Sequence, residues 1–526
     1  MNYADLFRVT LPETALEVAA LIVLIVDLGF LRKTALKVRV TVAALLGVAG
    51  CGAALWALQF QGHIWLESGG DDWSTLLQTG FWVQIAQTGI LVMTALTLLL
   101  LIDSGFTRHV GEFVAVVLMA ATGGLLVAAA QDLLVIFVGL ELLSLSLYIM
   151  TAFAKGSGKS AEAALKYYLF GGMSAAFLLF GFSYLYGLSS TTNLTGIQNA
   201  ISTSGSSPLF YVAWILVVAG LGFKIAAVPF HLWAPDTYEG APAPAAAFIA
   251  SVSKVASFAL LITLSLNWMT MSSPFAGSRS SVEQFLRHYY QTWPKLGMVL
   301  LVVAFASMVV GNLAALVQIS VRRLLAYSAI AHAGYILLGL AIHPVYSGQG
   351  SPIEFCSNSI SPTIRTANAV LYYILTYGLT TIGAFGVVSV VERATGSDRL
   401  DSFLGLHKRN PLLAAVLLVL FLSLAGIPPL VGFWAKFNLF AAVLGVSAGL
   451  VPFTLVALAV AFSAVSLYYY LQVLKRAYVM PAIDETPIKA HPVTVAVLLL
   501  IAAAVVVLGS FPSLLQNWIQ SFYPVM

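Results

Sequence analysis

The stretch "GLGFKIAAVPFHLWAPDTYEGAP", residues 220–242, begins inside an apolar run yet carries Lys224, Pro229 and His231. Its reading depends on the solvent. Sixty per cent of the 526 residues are hydrophobic, 9% are charged, and the mean hydropathy is +0.94. So little polar surface cannot clothe a water-soluble protein. Apolar runs of about 20 residues recur along the chain, each long enough to cross roughly 30 Å of hydrocarbon as a helix. Alternating strand-like stretches of about 10 residues are absent. The fold class is therefore all-α, integral to a membrane, and the quoted stretch sets an ammonium group within a membrane helix.

Working outward, apolar runs between turn signals predict about fourteen spans, near 11–30, 38–58, 78–102, 111–130, 132–154, 162–188, 208–230, 241–266, 296–318, 322–342, 367–391, 411–444, 450–474 and 492–512. Asp5, Arg8, Glu13 and Glu17 do not make the basic head and small-residue cleavage site of a removable leader, so the first helix is expected to stay. Lys and Arg total 25. With both termini outside, sixteen fall in odd-to-even connections, among them Arg39, Lys159, Arg322, Arg323, Arg393 and Arg476, against five on the other side. That asymmetry predicts which face is cytoplasmic. The net charge of +4 reflects these anchors and points to no nucleic acid. Cys51 and Cys356 are too few and too far apart for a thiolate metal site. No glycine-rich dinucleotide fingerprint follows a strand.

Four lysines belong to neither face: Lys166, Lys224, Lys254 and Lys436. Lys254 lies roughly 20 Å along its span, and Glu141 and His332 reach similar depth. A charge there costs at least about 2.5–3.5 kcal/mol, so it persists when it pairs, neutralises or lines water. Lys166, one turn after Glu162, is also explained by an i,i+4 ion pair, and His332 by an ordinary core hydrogen bond. Lys224, Lys254 and Lys436 lie too deep to snorkel easily, and a single deep glutamate is at hand to neutralise them.

Two of these lysines sit on helices that proline should interrupt. Pro229 predicts a break just after Lys224, and Gly426, Pro428 and Pro429 in "SLAGIPPLVGFWAKF" predict one just before Lys436. The run 411–444 is too long for one straight crossing and reads as two half-helices. Breaks at corresponding places in two halves point to inverted repeats with an ion path near the midplane. The expected division is an N-terminal three-helix segment (1–110), a first five-helix repeat (111–266), an inverted second repeat (296–474) and a C-terminal helix (475–526), with helices 7 and 12 discontinuous.

"GFKIAAVPFHLWAPDTYEGAP", "FVGLELLSLSLYIM" (137–150), "SVSKVASF" (251–258), "RRLLAYSAIAHAGYILLGL" (322–340) and "LAGIPPLVGFWAKFNLF" (424–440) together closely resemble the antiporter-like membrane subunits of proton-pumping NADH:quinone oxidoreductase, respiratory complex I. The likeness covers nearly the whole chain. The lysine after "GIPP", the opening "LPETALEVAALIVLIVDL" (11–28) and the chain's end soon after its last span resemble the N-type branch.

That resemblance implies an ion pair between Glu141 and Lys224, a central relay at Lys254 and a terminal group at Lys436. It further implies connecting polar roles for His231 and His332, with Lys166 and Glu162 along the uptake side. The expected setting is a bacterial inner membrane with both termini periplasmic. The neighbours would be an M-type antiporter-like subunit and the small K- and J-type subunits, and no cofactor is expected in this chain. NADH, FMN, iron–sulfur clusters and quinone would belong to partner subunits. A subunit of a multisubunit sodium/proton antiporter and a proton-inert scaffold stand as alternatives.

Overall fold

The computed structural model describes residues 7–67, 76–204, 207–267, 279–342, 362–446, 450–482 and 484–521. Helix α1 (Leu11–Ile25) runs into a π-helical turn, Val26–Phe30, and is followed by α2 (Leu36–Glu67), α3 (Phe81–Leu101), α4 (Val110–Ala129), α5 (Leu133–Thr151) and α6 (Gly158–Ser189). Next come α7 (Leu194–Ser204), α8 (Pro208–Lys224), α9 (Trp233–Gly240), α10 (Ala243–Ala250), α11 (Val252–Asn267), α12 (Arg279–Leu316) and α13 (Val321–Ala341). The chain closes with α14 (Pro362–Thr395), α15 (Leu406–Arg409), α16 (Pro411–Ala425), α17 (Val431–Val446), α18 (Leu450–Tyr478), α19 (Pro492–Ser510) and α20 (Ser513–Ser521).

Among the described residues, eleven helices are long and apolar enough to cross a membrane. The fold is thus all-α and multi-pass. Three further apolar helices are shorter: Pro208–Lys224, Pro411–Ala425 and Val431–Gly445. Proline accounts for these shorter pieces, because it removes an amide donor and its ring clashes with the preceding turn. Helix starts follow local chemistry. Asp132 accepts the Leu134 amide ahead of α5, Ser157 the Ser160 amide ahead of α6, and Asn410 the Leu413 amide ahead of α16. Each cap satisfies one of the amides that a helix leaves unpaired at its start. Pro208, Pro411 and Pro492 occupy the first helical position, where no amide is needed.

Burial varies sharply between helices. The span Ala243–Ser265 is enclosed along its whole apolar window, and Val321–Ala341 nearly so, whereas Gly158–Ser189 and Leu450–Tyr478 are mostly exposed and form the rim. Lys254 and His332 are carried by the two enclosed spans and so lie at the centre of the bundle. Glycine lets α12 and α13 approach closely: a methyl group at Gly334 would come 2.7 Å from the Ala304 carbonyl oxygen.

Candidate functional site

Helix α8 ends at Lys224, and the chain leaves helical geometry until Trp233. Within this break the Ala227 amide turns back to the Gly222 carbonyl (2.8 Å), and Ser307 of α12 accepts the Val228 amide (2.9 Å). Pro229 follows through a cis peptide bond and contributes no amide. The Trp233 indole donates to the Phe223 carbonyl (3.0 Å) and ties the two pieces together. A parallel arrangement separates α16 from α17. Gly426 takes a left-handed φ of 88°, the Pro428–Pro429 bond is cis, and the Gly432 amide returns to the Ser423 hydroxyl (3.1 Å).

The three deep lysines are all enclosed, with exposures of 5% (Lys224), 3% (Lys254) and 6% (Lys436). Lys436 reaches back across its break to the carbonyls of Leu424 (3.2 Å) and Ala425 (3.0 Å), and also donates to the Ser463 hydroxyl (2.8 Å). Those carbonyls are the open C-terminal end of α16, where partial negative charge favours a cation. Lys254 donates to the Ala329 carbonyl of α13 (2.7 Å). It stands just past an interruption at Ser251 that divides α10 from α11. Ser251 bonds back to the Ala247 carbonyl (2.6 Å), the kind of competition by which serine bends helices.

Lys224 donates to the Ser144 hydroxyl. None of the ion pairs within 4.0 Å among the described residues joins it to Glu141. Ser144 is three residues beyond Glu141 on the same helix, so the ammonium rests on a hydroxyl from the turn next to the carboxylate's own position. Glu141 itself is half-buried and shares a helical face with the exposed Leu134, Val138 and Leu145.

Between Lys254 and Lys436 lies a ring of hydroxyls around His332. Its Nδ1 is 2.8 Å from the Tyr373 hydroxyl and its Nε2 is 3.4 Å from that of Tyr470, which also bonds Ser328. The Lys254 ammonium stands 5.9 Å from the Tyr377 ring centre, and that ring lies 4.7 Å from the imidazole. On the far side the Lys436 ammonium is 5.5 Å from the Tyr335 ring. Tyr335 and Tyr469 are joined through Asn312 by bonds of 3.1 and 3.3 Å. A cavity of about 10 Å³ between His332, Tyr373 and the α16–α17 break has room for roughly one water molecule.

His231 is not drawn into this row: it is half-buried, and its Nδ1 has no hydrogen-bond partner. Lys166 pairs with Glu162 at 2.7 Å and also, unforeseen from sequence, with Asp236 of α9 at 2.7 Å. Asp236 continues to Arg323 (2.6 Å), Arg323 to Glu239 (3.1 Å) and Glu239 to Lys159 (3.1 Å). This chain of ions borders a cavity of about 780 Å³ lined by Lys159, Glu239, Arg322, Arg323 and Glu392. It lies where the connections around 154–159, 239–244, 317–323 and 389–399 converge. A second cavity, of about 390 Å³, is lined by Arg365, Tyr372, Asn438 and Gln516 among others. Asn438 is two residues beyond Lys436.

A family profile described as "NADH:quinone oxidoreductase/Mrp antiporter, TM" matches residues 130–279, 281–359 and 356–463, which include every deep lysine and both breaks. The chain belongs to this family. It is 45% identical over 530 residues to the NADH-quinone oxidoreductase subunit N 2 of Acidobacterium capsulatum, covering 99% of both chains. A chain of respiratory complex I from Thermus thermophilus, solved with bound aureothin, superposes with a TM-score of 0.71 at 32% identity, over 96% of this chain and 98% of that one. A chain of the Mrp complex from Dietzia shares the fold at 20% identity with a TM-score of 0.72, over 97% of this chain and 51% of that one. The protein is an antiporter-like, multi-pass membrane subunit of bacterial inner-membrane type, with a buried network of charged residues. Among the described residues, no group of three or more His, Cys, Asp or Glu is placed to hold a metal ion.

Proposed function

We propose that this chain is the N-type proton-translocating subunit of an NADH:quinone oxidoreductase, working without a redox centre of its own. The observation that carries this reading is the enclosed row Lys224, Lys254, His332 and Lys436, in which three ammonium groups are held by neutral acceptors rather than by carboxylates. An ammonium in a low-dielectric interior is disfavoured by desolvation and favoured by a nearby carboxylate. Lys224 resting on Ser144, one turn from Glu141, is therefore set to exchange between a charged, paired state and a neutral, unpaired one. Closing the pair favours uptake of a proton and opening it favours release. Each lysine repels charge on the next, so loading one lowers the proton affinity of its neighbour and the row transmits as well as conducts.

In this reading Glu141 and Lys224 form the switch, Lys254 is the central relay, and Lys436 hands the proton toward the cavity lined by Asn438 and Arg365. His332 and its tyrosines bridge Lys254 and Lys436. Lys166 and Glu162 lie on the uptake side, where the larger cavity opens between connections rich in Lys and Arg; by the distribution of those charges that side is cytoplasmic and both termini are periplasmic. His231 serves as a secondary polar group beside the first break. Leaving out the short α7, α15 and α20, and counting each broken helix and the α10–α11 pair once, gives fourteen crossings. Residues 111–266 and 296–474 form two inverted five-helix repeats, supported by the matching breaks at 225–232 and 426–430. The neighbours are the M-type antiporter-like subunit and the small K- and J-type subunits, and quinone reduction in partner subunits drives the cycle.

The decisive experiment compares proton-to-electron stoichiometry in vesicles holding the purified complex, with and without Lys254→Ala. Loss of pumping with the complex still assembled supports the proposal, whereas unchanged stoichiometry would make the chain a scaffold. A sodium-driven exchange with no copurifying quinone reductase would assign it instead to the antiporter branch of its family.

A further inference from the structure

Glu13 belongs to the first turn of α1 and is 4% exposed, remote in sequence from the lysine row. Its Oε1 accepts from Gln87 Nε2 of α3 at 3.3 Å, and the same nitrogen donates to the Leu125 carbonyl of α4 at 3.3 Å. Both amide hydrogens are thus committed, and the amide cannot be turned over without setting its oxygen against the Leu125 oxygen. Among the described residues, two enclosed acceptors are then left with no hydrogen-bond partner: Gln87 Oε1 and Glu13 Oε2.

No basic nitrogen among the described residues comes within 4.0 Å of Glu13. Helix α3 contains no ionisable acid or base. Among the described side chains, the charged residues of α2 are Lys37 and Arg39, at the opposite end, where Arg39 pairs with Asp27. Glu112 of α4 stands thirteen residues before Leu125 and pairs with His109. On α1 the nearest charge is Glu17, one turn on and exposed, which repels a carboxylate at Glu13. The helix start offers a partial positive charge, too little to replace a cation in a site closed to water.

We propose that Glu13 is a proton-binding site separate from the lysine row: it is held as the neutral carboxylic acid, taking a hydrogen from Gln87 on one oxygen and returning its own to Gln87 Oε1 from the other. One proton supplies the donor that both orphaned atoms lack. It also leaves no net charge at the contact between α1, α3 and α4, so the three helices are joined by a closed polar contact. Ionisation would leave a carboxylate facing an amide oxygen.

Infrared difference spectroscopy of the assembled complex at neutral pH tests this. Glu13→Gln should remove one carboxylic-acid carbonyl band, and Gln87→Leu should keep that band but move it to higher frequency, because its acceptor is gone. Loss of carboxylate bands instead in Glu13→Gln would overturn the proposal, as would an unmoved band in Gln87→Leu. If Glu13→Gln does not assemble, the shift or its absence in Gln87→Leu decides alone.

Discussion

The Lys254 ammonium donates a 2.7 Å hydrogen bond to the backbone carbonyl of Ala329, joining the helix after the Ser251 interruption to the helix that carries His332. A carbonyl cannot accept a proton at ordinary pH, so this contact holds Lys254 in place without competing for what it carries. In the proposed relay, neutralising or removing the ammonium would take away the middle member. Lys254→Ala should cut proton flux by on the order of tenfold or more, a barrier increase of at least about 1.4 kcal/mol. Proton release per electron, measured in vesicles with assembly checked on a native gel, reads this directly.

Ser144, one turn from Glu141, holds Lys224. A hydrogen bond between neutral groups contributes about 0.5–1.5 kcal/mol. Ser144→Ala should therefore free Lys224 to close on Glu141 and slow turnover, because the unpaired state loses its acceptor. The additional substitution Glu141→Gln should have less effect in the Ser144→Ala background than it has alone. Additive effects on pumping rate would contradict a shared switch.

At the second break Gly426 has φ of 88°, and a methyl group there would come 3.0 Å from Cδ of Lys436. Gly426→Ala should cost about 1–2 kcal/mol from the left-handed backbone alone and should also displace the lysine. A lowered Tm of the complex together with reduced pumping is expected. Gly172→Ala, where nothing lies within 4 Å, should change neither.

The hydroxyl of Tyr470 touches both His332 and Ser328. Tyr470→Phe removes this partner while keeping the ring that packs against Phe421. Proton flux should fall several-fold while the Tm shifts little. An unchanged flux would leave His332 with a packing role.

Asp236 bridges Lys166 and Arg323 with all three side chains partly open to solvent. Exposed ion pairs contribute about 0.2–1 kcal/mol. A double-mutant cycle of Lys166→Met and Asp236→Asn should give a coupling within that range. A coupling of several kcal/mol would mean that water is excluded from the cavity they border.

Proline and buried charge made much of this legible from sequence. Pro229 and the Pro428–Pro429 pair mark the two breaks because an imide cannot extend a helix, and lysine in an apolar run marks the row because nothing else justifies its cost there. Other features gave weaker signals. Ser251 interrupts its helix through a bond to the helix backbone, within a run, 245–267, that holds no proline or glycine. Tyr373, Tyr377 and Tyr470 read as apolar bulk along their helices, and only packing turns their hydroxyls toward His332. Asp236 and Glu239 lie in the short polar segment after the first break. Their partners Lys166 and Arg323 lie 70 to 87 residues away, a separation no local pattern reveals. The second serine of the "SLS" stretch would not have signalled itself either, yet the first one, Ser144, is the acceptor that Lys224 uses in place of Glu141.

The narrow gap beside His332 has a consequence for the membrane as a whole. A passage wide enough for a continuous file of water would short-circuit the voltage that respiration builds. In the proposed path, a space that admits a single molecule would force the proton to be handed over one bond at a time. The same tightness that would make transport along this path depend on side-chain motion would also insulate the membrane when the machine is idle.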